Sequence, residues 1–453
     1  MRGRVRLGLY VVIGCLWALP VRAQDYPYQP AYPAHQPHYS GYHGGYAQLE
    51  GELIPDSRSA FADVFYRDVT LHNLIHDSLH GAWMRLEYLN YRVSDPERVL
   101  LGAPLAGVAN PNLPFTIDDN DNTNLLPLTA RVPALEGIDF TNLNGIRGSF
   151  GLPVFEHGWL EGTAWGLSRA TSESFADPLP FTNPLGIGIG GTPGVQMLAT
   201  SLLGNGTAGN RLLLYDQDFR AIYQTDIWSG EFNYVFDYIT PQEGVTFQPI
   251  VGYRHIQYSE NMHFGGTFSN VSLFNPLDPV LADPTRSSIL SEARNTLHGG
   301  QLGFRSELIM PYLTLGIEPK LVLMSNQVRA RVTTNNLRVA AADGLEDDIL
   351  IPNRFVSLTD PTRQTRQSDS QVSPGFDLGL YAKVNLTSWF NIRVGYNLLW
   401  LSNLSTAENN VFYNDDGDIV NDATNNPGVV ARQFKFSDRF IDGLSIGGEI
   451  LLP

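Results

Sequence analysis

The sequence predicts an all-β fold, a transmembrane antiparallel up-and-down β-barrel of about ten strands, with long loops on one rim and short turns on the other. Three observations carry that reading. Apolar and polar residues alternate with period two in run after run, the links between runs are alternately long and short, and no stretch beyond the N-terminal segment approaches the ~18 uninterrupted apolar residues of a membrane helix. Ten runs with links in this order bring both ends of the barrel to the short-turn rim, as in bacterial outer-membrane barrels.

The elements follow in chain order. Residues 1–23, "MRGRVRLGLYVVIGCLWALPVRA", combine arginines at 2, 4 and 6 with an apolar run from Leu7 to Leu19 and a small-residue exit, the pattern of a cleaved secretory signal. "VIGC" at Cys15 is similar to a lipoprotein signal, but the run stays apolar to Leu19, where a mature lipoprotein turns polar. Residues 24–46 are rich in Tyr, Pro and His; repeated proline favours extended polyproline II, so this segment reads as a disordered periplasmic tether with a capacity for cell-wall contact. Its His35, His38 and His43 are dispersed, and such tail histidines ordinarily bind no metal. Residues 47–80 form a periplasmic segment, with a short helix expected over 59–75 from the spacing of Phe61, Val64, Phe65, Leu71, Leu74 and Ile75.

The barrel is assigned to residues 81–453. Its runs are "GAWMRLEYLNYRV", "GIRGSFGL", "GWLEGTAWGL", "DIWSGEFNYVFDY", "VTFQPIVGYRHIQY", "GGQLGFRSEL", "YLTLGIEPK", "PGFDLGLYAKVN", "WFNIRVGYNLLWLSN" and "GLSIGGEILL". Each matches the ~9 to 11 residues of a tilted membrane strand, with aromatics near the ends. Short links fall at "PVFEH", "TPQEG", "MP" and "LTS", and long polar ones at about 94–143, 169–218, 260–293, 336–367 and 404–437. Splitting 211–239 into two strands would give twelve, the alternative count.

A soluble β-sandwich also alternates, but its outer face is rich in Lys, Glu and Thr. Here the polar face carries Gly, Asn and single charges. Its arginines and lysines are Arg85, Arg147, Arg254, Arg305, Lys320, Lys383 and Arg393, set against Glu87, Glu161, Glu231, Asp237, Glu307, Glu318, Asp377 and Glu449. That near balance contrasts with a net charge of −16, which becomes −20 without the four arginines of the signal. The acidic surplus therefore belongs to loops and rims, and it excludes nucleic acid as a partner. Cys15 is the one cysteine, so residues 24–453 hold no disulfide; closure by backbone hydrogen bonds fits such a chain.

Several blocks, "WMRLEYLNY", "GYRHIQYSENMHF", "GGQLGFRSEL", "VGYNLLWLSNLS" and "DGLSIGGEI", together resemble the putative β-barrel porin 7 family of planctomycete outer-membrane proteins, in the expected order over about residues 81–452. The resemblance implies an outer-membrane barrel and carries no catalytic, cofactor or ligand residues. The last strand, with Ser445, Gly447, Ile450 and Leu452, also resembles the terminal signal read by the barrel-assembly machinery, although the chain closes on Leu-Leu-Pro where an aromatic is usual.

About ten strands enclose a narrow interior that side chains tend to fill. Facing charges then pair across it, since an unpaired buried charge is costly. The expectation is a narrow, charge-lined porin for small solutes or ions, with Arg254, Arg305, Arg393, Glu231, Glu318, Lys320, Lys383 and Asp377 lining the pore; structural ion pairing is the competing role for the same residues. The alternative function is a structural or adhesive outer-membrane surface protein with a largely closed barrel. The partners expected are outer-membrane lipid, the barrel-assembly machinery and, through the N-terminal tether, the cell wall; nothing fixes an oligomeric state.

Two acidic loops, one with Asp415, Asp416, Asp418 and Asp422 and one with Asp118, Asp119 and Asp121, offer oxygens of the kind calcium takes, but neither has the spacing of an EF-hand, and solvated loops are the ordinary reading. "HDSLH", from His76 to His80, gathers His, Asp and Ser, yet a catalytic set is defined by geometry rather than adjacency. No GxSxG, HExxH or phosphate-loop motif stands in a suitable context, so no catalytic residue is expected.

Overall fold

The computed structural model describes residues 81–452, apart from 97, 106, 118–127, 155–157, 176–195, 205–208, 240–243, 269–284, 338–361, 416–429 and 432–433. The expected signal, tether, helix and "HDSLH" segment lie outside the described residues, as do the acidic clusters except for Asp415.

Ten strands form the ring: β1 (Trp83–Val93), β2 (Leu143–Pro153), β3 (Gly158–Leu167), β4 (Gln217–Phe236), β5 (Val245–Phe268), β6 (Thr285–Ile309), β7 (Leu313–Asn335), β8 (Arg363–Asn385), β9 (Phe390–Ser405) and β10 (Phe436–Leu451). Each pairs antiparallel with its neighbours in sequence. β1 closes the ring on β10 in the register Trp83↔Leu451 to Val93↔Ile441. The count is ten, and residues 209–215, which precede β4, pair with an inserted strand instead of joining the ring.

Strand length departs from expectation. The predicted runs were about as long as a membrane is thick, whereas β5 to β8 have 24, 25, 23 and 23 residues. The stretch 260–293, expected as a loop, is strand as far as Phe268 and again from Thr285. At ~3.3 Å per residue and a tilt near 40°, β5 rises roughly 60 Å, about twice the ~30 Å hydrocarbon layer.

The reason lies in a reversal of polarity part-way along the strands. On β7, Leu313, Leu315, Ile317, Leu321 and Leu323 face outward while Glu318 and Lys320 face inward. Past that level Ser325, Gln327 and Arg329 face outward, and Val322, Met324, Val328 and Ala330 are buried inside. The inner face changes likewise between Arg254 and Ile256 on β5, Gly299 and Leu297 on β6, Asn397 and Leu399 on β9, and Glu87 and Leu89 on β1. One half of the barrel is therefore apolar outside and ionic inside. The other is polar outside and apolar inside, as water on both the rim and the outer wall requires.

Inserted segments complete the apolar half. A five-stranded sheet of Phe115–Ile117, Leu128–Arg131, Gln196–Gly204, Gly209–Tyr215 and Asn414–Asp415 contributes Leu198, Leu202, Leu213 and Tyr215 to the same core as Tyr223, Phe264, Leu297 and Leu401. At the end of β9 the register shifts between Leu401 and Leu404, and Asn403 adopts φ of 55°. That bend turns the chain into the barrel, where Leu404, Ser405, Thr406, Ala407 and Glu408 are all buried.

Candidate functional site

Period two places inward every charged residue expected on the interior except Asp237, which is exposed just beyond the end of β4. Seven cations and seven carboxylates remain, and every one of the ten strands carries at least one of them.

Six of the eight candidate residues meet in one network. Arg254 on β5 donates to Glu231 of the adjacent β4 at 2.7 Å and, across the interior, to Asp377 of β8 at 2.5 Å. Lys320 on β7 reaches Glu231 at 3.1 Å and Glu318 at 2.8 Å. Arg305 on β6 donates Nε to Glu318 at 2.9 Å, and its two terminal nitrogens hold Glu161 of β3 as a fork at 2.8 and 2.7 Å. A fork of this kind fixes both planes, so residues 144 positions apart in sequence are held rigidly across the ring.

The other two, Lys383 and Arg393, are joined through Tyr381. The Tyr381 ring lies against Gly316, where an added Cβ would stand 2.1 Å from it, and the missing side chain lets its hydroxyl reach Glu307 at 2.6 Å. Lys383 reaches the same carboxylate at 2.9 Å. Arg393 stacks on the Tyr381 ring at 3.6 Å, with Glu87 no nearer than 3.8 Å. Glu87 is the hub of a second network that the candidate set omitted, touching Arg85 at 3.2 Å and Arg147 at 3.4 Å. Between these groups a cavity of about 50 Å³ remains, room for a few waters.

A further charged cluster sits within the apolar half. Arg439 donates to Glu260 at 3.0 Å and to Glu408 at 2.8 Å, and both carboxylates also meet the Tyr223 hydroxyl, at 2.6 and 2.5 Å. The Ala407 amide donates to Glu260 at 3.1 Å, Ser291 to the Ala407 carbonyl at 2.7 Å, and Asn295 to the Ser405 carbonyl at 2.7 Å. These contacts pin residues 405–410 inside the ring. Burial and the neighbouring Glu260 raise the Glu408 carboxyl above the ordinary carboxylate range. Glu260 shares parity with Tyr258 and Met262, so extending the alternation past residue 258 would have turned it inward. No periodic signal marks Glu408, which belongs to a turn.

A sealed ring of this topology, greasy on the outside of one half only, is what a membrane barrel requires. The family model described as Putative beta barrel porin-7 (BBP7) matches residues 83–451, from the first strand to the last. The chain belongs to this family. This BBP7 barrel is a protein of the outer membrane. Among curated protein sequences none matches it. Among solved structures it is similar to the outer membrane protease OmpT from Escherichia coli, at 9% identity over 83% of this chain and 97% of that one, with a TM-score of 0.41. A deletion mutant of the monoaromatic hydrocarbon channel TodX shares 6% identity over 83% and 91% of the two chains, with a TM-score of 0.21. The toluene transporter TbuX of Ralstonia pickettii shares 7% identity over 83% and 90%, with a TM-score of 0.14.

Proposed function

We propose that this outer-membrane barrel is a narrow, charge-lined pore for small ions or solutes, shut in the conformation described by the segment 405–410. The observation that carries the reading is the choice of interior. The same ring fills one half with apolar side chains, so it did not need fourteen charges to fill the other. Buried ion pairs are weak contributors to stability and are often matched by apolar side chains of equal volume. A charged interior is instead suited to admitting hydrated ions once pairs exchange partners. Arg393, with its ring contact and distant carboxylate, is the cation best placed to set selectivity.

One observation favours a second reading, a structural barrel that stays closed: the cavity of about 50 Å³ has room for a few waters and nothing larger. Planar-bilayer recording separates the two. The pore reading predicts small, discrete, ion-selective openings, with selectivity reduced or inverted by Arg393→Glu and openings made more frequent when 406–410 is replaced by a short glycine link. Silence of the folded wild type and of the glycine-linked variant, with envelope damage on deletion of the gene, gives the structural role.

A further inference from the structure

The outer wall beyond the polarity reversal carries a charge opposite to that of the molecule. Among the described residues, the outward faces of β6, β7 and β8 above the apolar band hold Arg286, Arg294, Arg329, Arg331 and Arg366 against the single acid Glu292, in a chain whose net charge is −16. The register makes the concentration sharper. Arg294 lies directly opposite Arg329, and Arg331 directly opposite Arg366.

Like charges directly opposite one another on adjacent strands destabilise a sheet. Little in the described wall relieves them. Glu292 pairs with Arg331, Arg294 donates to the Gln257 side chain at 2.6 Å, and Arg366 donates to Gln364 at 2.9 Å. Arg294, Arg329 and Arg366 are all exposed. A surface that serves solubility alone ordinarily intersperses charges of both signs.

Height above the membrane selects the ligand. The apolar wall ends at Leu323 on β7 and Leu302 on β6, with Trp228 and His255 in ring contact at the same edge, 4.8 Å between centroids. Arg329 is six residues beyond Leu323. At ~3.3 Å per residue and a tilt near 40° that is roughly 15 Å above the hydrocarbon. A phospholipid headgroup occupies only ~5 to 8 Å on each side. Long loops face outward from the cell in such barrels, so the wall stands over the outer leaflet.

We propose that these arginines bind the phosphorylated saccharide headgroup of an outer-leaflet glycolipid, a lipopolysaccharide-class lipid whose acyl chains lie on the apolar band of β6 to β8. Arginine's planar fork suits phosphate oxygens, and two facing arginines make a clamp for one doubly charged group. The like-charged pairs are then relieved by the ligand.

The full-length barrel in nanodiscs of zwitterionic phospholipid tests this, titrated with deep-rough lipopolysaccharide or with phosphatidylglycerol while thermal unfolding is followed. Wild type is expected to gain melting temperature with lipopolysaccharide and much less with phosphatidylglycerol. The double variant R329Q/R366Q removes one member of each facing pair; without added lipid it unfolds no earlier than wild type, and its apparent affinity for lipopolysaccharide falls by about tenfold or more. Equal responses of wild type and variant overturn the proposal, as does a response to phosphatidylglycerol as large as that to lipopolysaccharide. Loss of a defined oligomer in the variant, with lipid response unchanged, overturns it in favour of a second copy of the chain on this wall.

Discussion

Leu297 and Leu302 stand five residues apart on β6 and belong to different solvents. Leu302 faces outward and is 65% exposed, in hydrocarbon; Leu297 faces inward and is fully buried among side chains. The strand between them does nothing unusual, and its pairing with β5 and β7 continues past both positions. What changes is the medium outside the wall. Where lipid solvates the outside, the apolar side chains go there and the interior is left to charges. Where water solvates the outside, the apolar side chains turn inward and make a core of the kind a soluble barrel has. One sheet thus solves two solvation problems, and its interior records the membrane boundary more sharply than its exterior.

The comparison breaks most easily in the ionic half. Arg254→Leu leaves Glu231 and Asp377 facing one another with Lys320 as the nearest cation, at a cost of about 4 kcal/mol in unfolding free energy, read from urea melts in detergent micelles. Replacing Arg254, Glu231 and Asp377 together by leucine is expected to recover most of that loss. A cost below about 1 kcal/mol for the single change would mean that water already screens the network.

In the apolar half the corresponding change is Leu297→Ala, expected to cost about 3 kcal/mol because the site is enclosed and collapses poorly. Leu302→Ala, on the same strand but against lipid, is expected to cost about 1 kcal/mol or less, since acyl chains fill the space. Equal costs at the two positions would contradict the division of the barrel into two media.

This division also explains how far the sequence could be read. The ten strands, their order and the parity of residues such as Phe376 and Asp377 follow from alternation, because a strand has only two faces and one was visibly apolar. The upper halves of β5 and β6 were missed because their alternation runs in the opposite sense: "SENMHF" turns Met262 and Phe264 inward and presents Ser259, Asn261 and His263 to water. Read for a lipid-facing surface, it looks like a loop. The eight candidate charges were legible as inward-facing, but their partners were not, since Arg305 meets Glu161 only through closure of the ring. Residues 405–410 could not have been placed at all. Their position depends on the bend at Asn403 and on Arg439, which arrives from another strand.

The smallest predicted effect concerns that segment. Glu408 is buried beside Glu260 with Arg439 as the cation between them, and Tyr223 donates to one of the two carboxylates at a time. Its carboxyl is raised above the ordinary 4.5 by burial first and by Glu260 second. A raised acid favours the protonated form in the folded state, so its contribution is fully present below about pH 4.5 and is lost as pH climbs through the raised value. The docked segment should therefore hold more tightly in mild acid than at pH 8. Hydrogen exchange of the Ala407 amide, corrected for its intrinsic pH dependence, reads this directly because that amide donates to Glu260. Protection is expected to rise on acidification in wild type. Glu408→Gln, which keeps the shape and removes the charge, should show the acid level of protection at every pH. Unchanged pH dependence in Glu408→Gln would move the titration to another group and detach the segment from the pair.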